Sequence, residues 1–487
     1  MGGSDFPTLQ TLCFLSLGED VRKEILSLIK EGVMPVPNFK LVIFEKLNKS
    51  LQIFPKMGDS GFELVSGFVQ AGKTTEILGY IWKSIYIQKR KVILLLRNIK
   101  ADLYQFDERI RLFNNSISQE GLSGDTYSLK YSKSFNLQPP NIVENLIIGI
   151  ANPTQIRNIL THISKKPTHE YNLCIDEVDY TVKSKEKTTS LELLLEQLKE
   201  KTSHIMGFTA TCFSSLWVDD PVCVHQLKPP DNYYGLKDIR YCPLFSGSHK
   251  IPEEDINIPL IYSDLNGREF ILLHTTVTYI LHQLKLFLFL SKSYPSYSLI
   301  LYNGRGIKVK IPSIFKEDLV IPKGTKVKRS VFSNIYHFKQ SSISTVLQIL
   351  KNSRVPKKIV IISGILASRG ISFVSQDFGW HLTDQYYDSG GNGETILQGM
   401  RILGCYSDKP LLKLWCSTTL WNEIIKQYLL LKRYVTICSQ YHGPARIADL
   451  IENIDVDKPK RLLTRRRVLG SHEWKITKKG THTLTNK

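Results

Sequence analysis

The chain has 487 residues, 42% hydrophobic and 22% charged, an ordinary globular composition with room for a sizeable core and a prior of about three domains. A formal net charge of +19 points to a polyanionic partner, nucleic acid ahead of an anionic membrane. The eight cysteines form no C-x-x-C pair and sit mostly in apolar runs, which argues against a disulfide framework or zinc site and for a reducing, intracellular setting.

The N-terminus, Met1-Gly2-Gly3-Ser4-Asp5-Phe6, lacks the basic-then-apolar layout of a signal peptide. Residues 1–50 are expected to be a helical segment, with one apolar face over Val21–Ile29 and Gly32 as its stop. Residues 51–224 alternate apolar strands with helical patterns. Phe62-Glu63-Leu64-Val65 predicts a short buried strand, and Thr75–Trp82 has the apolar spacing of a helix. Between them lies Gly67-Phe68-Val69-Gln70-Ala71-Gly72-Lys73-Thr74, the pattern G-x-x-x-x-G-K-T. Strand, glycine-rich loop and helix start are the context in which this pattern cradles a nucleotide's phosphates. The glycines let the loop curl its N–H groups toward phosphate oxygens, and the helix N-terminus adds partial positive charge. Lys73 would reach the β- and γ-phosphates and Thr74 would hold Mg2+, with Gln70, Ala71 and Thr75 completing the cradle. The bland alternative is a glycine-rich turn with an exposed lysine.

Further buried strands are expected at Lys91–Leu96, Leu146–Ile150, Leu173–Ile175 and Ile205–Phe208. Continuous apolar strands separated by helices imply a parallel α/β sheet covered on both faces, with ligands at the strands' carboxyl ends. At one such end stands Asp176-Glu177-Val178-Asp179. Asp176 would bind Mg2+ and Glu177 would position or deprotonate the attacking water. Thr209-Ala210-Thr211 follows the next strand, where small hydroxyl residues can link the acidic motif to a neighbouring domain.

Residues 225–267 are Pro- and Tyr-rich and are expected to be a connector with short strands leading to a second α/β unit at 268–417. A long helix is expected over Phe270–Leu290, then strands at Ser298–Tyr302, Ile359–Ile362 and Leu411–Trp415, with a basic segment, Ile307–Arg329, interrupting the unit. The Phe270–Leu290 stretch includes the most apolar run, but His282 and Lys285 interrupt it and it is too short to span a bilayer. Arg369, in Ala367-Ser368-Arg369-Gly370, and Arg401, in Gln398-Gly399-Met400-Arg401, have the chemistry of arginine fingers for the developing γ-phosphate charge; surface ion pairs are the alternative. Residues 418–487 carry an amphipathic helix, Trp421–Tyr434, and a basic tail.

The order of these motifs resembles superfamily 2 helicases over about Leu51 to Cys416. The resemblance implies two RecA-like parallel-sheet α/β domains in tandem, with ATP and Mg2+ bound between them and DNA or RNA held across their tops, mainly by its backbone. It matches Lys73 and Thr74 to the Walker A residues, Asp176 and Glu177 to the Walker B pair, Thr209 and Thr211 to the coupling motif, and Gln398 and Arg401 to the last motif at the nucleotide. Asn152-Pro153-Thr154-Gln155 and Ser298–Gly304 would touch nucleic acid. The chain departs from the pattern in the second domain. One arginine follows Gln398 where two are usual, and Ser372 stands where an acid usually follows the Arg-Gly pair. This divergence resembles helicase-like proteins of large DNA viruses or plasmids, which implies a viral replication site or virion and replication or transcription proteins as partners. Two basic stretches, Lys323–Arg329 and the tail from Lys458, are candidates to neutralise phosphates; solvated charge runs are the alternative. Three functions stay open: a strand-translocating helicase, a nucleoprotein-remodelling ATPase that does not separate strands, and a non-catalytic nucleotide-binding scaffold.

Overall fold

Parallel strands covered on both faces must be apolar throughout, since neither side meets water. That rule is followed most closely by β2 (Lys91–Leu96) and β4 (Leu146–Ile150), beside β1 (Phe62–Ser66), β5 (Tyr171–Asp176) and β6 (Ile205–Thr209), while the edge strands β3 (Tyr131–Lys133) and β7 (Cys223–Gln226) are polar and half-buried. In the computed structural model these form one seven-stranded sheet in the order β3-β4-β2-β5-β6-β1-β7, every pair parallel. The structure describes residues 62–70, 72–86, 88–119, 129–134, 145–164, 170–178, 190–212, 221–245, 251–275, 280–329, 334–339, 341–364, 370–387, 394–406, 410–440, 466–467, 472–476 and 482–486. The helix expected at 1–50, Ala71, Asp179 and Arg369 lie outside them.

Helices α1 (Lys73–Tyr86), α2 (Lys100–Gln119), α3 (Pro153–Ile163) and α4 (Ser190–Glu200) connect these strands. Tyr80, Ile81 and Ile77 of α1 and Phe106 and Ile110 of α2 pack with Leu94, Leu96 and Ile148 of the sheet in one core. Burying such side chains stabilises by about 1.5–3 kcal/mol each. Strand β6 lies between the phosphate-loop strand β1 and the acidic-motif strand β5.

The chain divides into two units. The second comprises Asp231–Lys432 with Val69–Ala71, and the first contains the seven-stranded sheet. The second unit holds β8 (Tyr233–Tyr234), β9 (Ile239–Leu244), α5 (Asn257–Leu265), β10 (Phe270–Thr275), α6 (Ile280–Ser293), β11 (Ser298–Asn303), β12 (Gly306–Lys310), β13 (Val327–Arg329), β14 (Ile335–Phe338), α7 (Ile343–Asn352), β15 (Lys358–Ser363), β16 (Asp384–Tyr386), α8 (Glu394–Gln398), β17 (Gly404–Cys405) and β18 (Leu412–Ser417), followed by α9 (Thr418–Gln440). Its nine-stranded sheet has the order β13-β14-β12-β11-β15-β10-β16-β18-β9. Strands β11 through β9 in that order pair in parallel, while β12, β14 and β13 add an antiparallel extension. Strands Arg466–Arg467, His472–Ile476 and His482–Asn486 form a small antiparallel sheet.

The α/β class with two parallel-sheet units is thus as expected, but three local readings change. Phe270–Thr275 is a central strand, not the start of a helix. Its six residues are all buried, and it is flanked by β15 and β16. The stretch at 225–267 holds short strands as expected but belongs to the second unit instead of merely linking to it, because β9 forms the sheet edge beside β18 and α5 contributes Ile261, Tyr262 and Leu265 to the core. The basic segment supplies β12 and β13, so part of it is sheet.

Candidate nucleotide site

Strand β1 delivers the chain to Gly67, whose N–H donates to the carbonyl of Thr209 at 3.1 Å. The phosphate loop and the Thr209-Ala210-Thr211 turn are therefore joined at their first residues. A Cβ at Gly67 would lie 3.0 Å from Leu227 Cδ2 and 3.3 Å from Lys73 Cγ, so the absent side chain lets both approach. Gln70 and Gly72 have left-handed backbone, φ 57° and 91°. Gly72 takes that conformation without steric cost, and α1 begins from it, with Thr75 and Glu76 N–H both donating to the Gly72 carbonyl. Thr74 and Thr75 are half-buried in the first turn. Lys73 Nζ donates to the Phe68 carbonyl at 3.3 Å, so the lysine arm lies along its own loop.

Strand β5 ends in Asp176, and Glu177 follows with φ 49°, a strained conformation for a residue with a side chain. Both carboxylates are buried, at 9% and 5% exposure. Burial first, then the neighbouring Glu177 and Asp102, push the Asp176 carboxyl up to about 8 against the pull of Lys73 and Arg97. The influence of Lys73 means that the ends of β1 and β5 bring the expected lysine and acid within electrostatic reach. The Thr209 and Thr211 side chains are fully buried. Thr211 N–H donates to Thr209 Oγ1 at 3.0 Å, and that hydroxyl donates to the Thr211 carbonyl at 3.1 Å.

A third member has no sequence motif. Arg97, straight after β2, is 1% exposed and donates twice to Asp102 in the first turn of α2, at 2.6 and 2.7 Å. Burial opposes its charge, but Asp102, Glu177 and Asp176 hold the guanidinium well above its ordinary range. A charged residue directly after an apolar strand is the only signal the sequence carried.

The oxygen donors fit Mg2+, which prefers a carboxylate or two plus phosphate oxygens. Asp176 is a buried carboxyl whose ionisation lacks enough positive charge, and Thr74 offers a hydroxyl one residue after Lys73.

The segment Asn152-Pro153-Thr154-Gln155 builds a helix start. Asn152 is the N-cap of α3 and accepts from Gln155 N–H at 2.9 Å, while Gln155 Oε1 accepts from Ile150 N–H at 2.9 Å. Thr154 and Arg157 remain exposed.

In the second unit, Gln398 is 1% exposed at the end of α8. Gln385 of β16 braces the turn that follows, donating to the Gly399 carbonyl at 2.7 Å and accepting from Ile402 N–H at 3.0 Å. A Cβ at Gly399 would overlap the Tyr387 hydroxyl, which explains the glycine. Arg401 is 5% exposed and donates to the carbonyls of Gln398, at 3.0 Å, and Ile371. It therefore ties the glutamine motif to the residue after Gly370.

No protein-family model matches the chain, and no curated protein matches its sequence. Among solved structures, the chain is similar to the DEAD-box helicase Mss116 bound to single-stranded RNA and UDP-BeF (13% identity, 81% of this chain and 74% of that one, TM-score 0.47). It is also similar to S. cerevisiae Dbp5 bound to RNA and ADP BeF3 (11% identity, 91% and 97%, TM-score 0.46). A third is a DEAD box protein from the hyperthermophile Methanococcus jannaschii (14% identity, 76% and 86%, TM-score 0.36).

Proposed function

We propose that the chain is a nucleic-acid-dependent ATPase of the helicase type, coupling ATP hydrolysis to movement along a strand. The observation that carries this is the strand order. It sets β6 between β1 and β5, so that Lys73 and the buried Asp176 act on each other while Gly67 is bonded to Thr209. Loop N–H groups and Lys73 bind the phosphates. Thr74 and Asp176 would hold Mg2+, which supplies charge neutralisation at the phosphate oxygens when bound. Glu177 orients water for in-line attack and accepts its proton. The Gly67–Thr209 bond supports a coupling role for Thr209 and Thr211, because a change at the phosphates is felt at their turn. Gln398, Arg401 and Arg369 are proposed to act on the charge that develops at the γ-phosphate. The net charge of +19 supports nucleic acid as the stimulating partner. The departures in the second unit's motifs support a kinship with helicase-like proteins of viruses or plasmids, and with it replication or transcription partners.

The test is the ATPase rate measured with single- and double-stranded DNA and RNA at several salt concentrations, beside a labelled-duplex unwinding assay. Stimulation that weakens with salt and accompanies unwinding supports the proposal. Stimulation without unwinding favours a nucleoprotein-remodelling ATPase. ATP binding without turnover on any nucleic acid would leave a nucleotide-binding scaffold.

A further inference from the structure

On the edge of the first unit's sheet, three unlike donors meet. Parallel pairing sets Glu63 of β1 opposite Cys223 of β7, and His225 opposite Val65. Side chains two apart on a strand share a face, so Cys223 and His225 lie on the same face as Glu63. One donor atom from each of Glu63, Cys223 and His225 lies within 4.8 Å of the other two. His225 Nε2 is 2.6 Å from Glu63 Oε2. Among the described residues this is a mixed sulfur, nitrogen and oxygen set, unlike the all-oxygen set at the nucleotide.

We propose that Glu63, Cys223 and His225 form a zinc site. Thiolate, imidazole and carboxylate together suit a borderline-soft divalent ion held tetrahedrally. Ordinary zinc bond lengths put tetrahedral ligand atoms about 3.3–3.6 Å apart, inside the spread these three already have. The ion takes the place of the proton shared by His225 and Glu63, whose two atoms open by less than about 1 Å to admit it. Three protein ligands leave the fourth position to water, and β7 is the edge strand of its sheet.

A second set of residues supports the first. The other carboxylate oxygen, Glu63 Oε1, is 3.0 Å from His204 Nε2, and His204 Nδ1 is 3.0 Å from the Tyr80 hydroxyl. With Tyr80 donating to Nδ1 and Nε2–H donating to Glu63, the carboxylate is fixed in orientation, as ligating carboxylates in metal sites are. All three of these side chains are buried. Two ligands come from β7 and one from β1, and only one of the three is a cysteine, which is why a search for C-x-x-C spacing passes over them. The site joins two strands of the sheet. It clips β7 onto β1, and just beyond β7 Leu227 N–H donates to the Ser66 carbonyl at 2.8 Å and the Leu227 side chain packs against Gly67.

The test uses the full chain freed of metal by dialysis against a chelator, then titrated with cobalt(II). The expected result is a one-to-one rise of a thiolate-to-cobalt charge-transfer band in the near ultraviolet, reversed by zinc. Cys223→Ser removes the band and His225→Gln weakens binding at least about 10-fold, while Cys242→Ser leaves both unchanged. Competition with a chromophoric chelator should show about 10-fold weaker zinc binding in His204→Gln. Circular dichroism confirms that each variant is folded. If Cys223→Ser fails to fold, the His225→Gln and His204→Gln titrations decide alone. Absence of the band in folded wild-type protein, or a band that survives Cys223→Ser, would overturn the proposal. None of these readouts depends on ATP hydrolysis.

Discussion

Arg97 is the second positive charge, after Lys73, that acts on the acidic motif. Its guanidinium is buried against Asp102 and helps keep the Asp176 carboxyl from rising further. Arg97→Met leaves Asp102 buried without its cation, which should cost about 3–5 kcal/mol in stability. It should also move the acid limb of the ATPase pH profile to higher pH, because Asp176 becomes harder to ionise. A stability loss with an unmoved profile would reduce Arg97 to a packing role. In the second unit, His274 is buried beside the Tyr262 hydroxyl, 3.4 Å from Nδ1, and the Tyr386 ring. Burial holds its imidazole down to about 3, from an ordinary 6.5. A depressed folded pKa means that the stability is complete above pH 6.5 and is lost as pH falls toward 3. At pH 5 the loss is about 2 kcal/mol. Urea unfolding of His274→Phe at pH 7 and pH 5 should show an acid sensitivity smaller by about that amount. Equal sensitivity in both proteins would mean that His274 stays neutral in the unfolded chain or is already protonated in the fold.

At the scale of the element, α3 shows how a segment expected to touch nucleic acid is built first as a helix start. Asn152→Ala removes the cap to Gln155 N–H and should cost about 1 kcal/mol of stability while leaving unstimulated ATP hydrolysis unchanged. A thermal melt and an ATPase assay without nucleic acid check both parts. Strand β1, its loop, α1 and the end of β5 were legible because each joins an apolar run to a motif whose chemistry fixes its place. Strand β10 was not, because Phe270-Ile271-Leu272-Leu273 is a short continuous apolar run, which has no period to separate a buried strand from a helix. Its strand character comes from burial between β15 and β16. Arg401 was legible as a residue, but its bonds to the Gln398 and Ile371 carbonyls depend on a turn braced by Gln385, which no local pattern announces. The Glu63, Cys223 and His225 cluster depends on strand pairing across some 160 positions, and was equally out of reach.

For the whole molecule, the excess of positive charge is the property that bears on partners. Nucleic-acid binding should weaken steeply between about 50 and 200 mM salt, in proportion to the phosphates neutralised. Replacing Arg465, Arg466 and Arg467 together by Gln should lower the slope of log affinity against log salt by about three if each meets a phosphate. An unchanged slope would make the tail a solvated charge run. The seven-stranded sheet gathers the phosphate loop, the acidic motif and the threonine turn at the ends of neighbouring strands, and the proposed hydrolysis depends on that gathering.

The most direct test of that claim is steady-state ATP hydrolysis by wild type and Glu177→Gln, with and without nucleic acid, beside nucleotide binding by each. The account predicts that nucleic acid stimulates the wild type, and that Glu177→Gln binds ATP as tightly yet loses turnover by about 100-fold or more. Full turnover in Glu177→Gln, with binding intact, would contradict it.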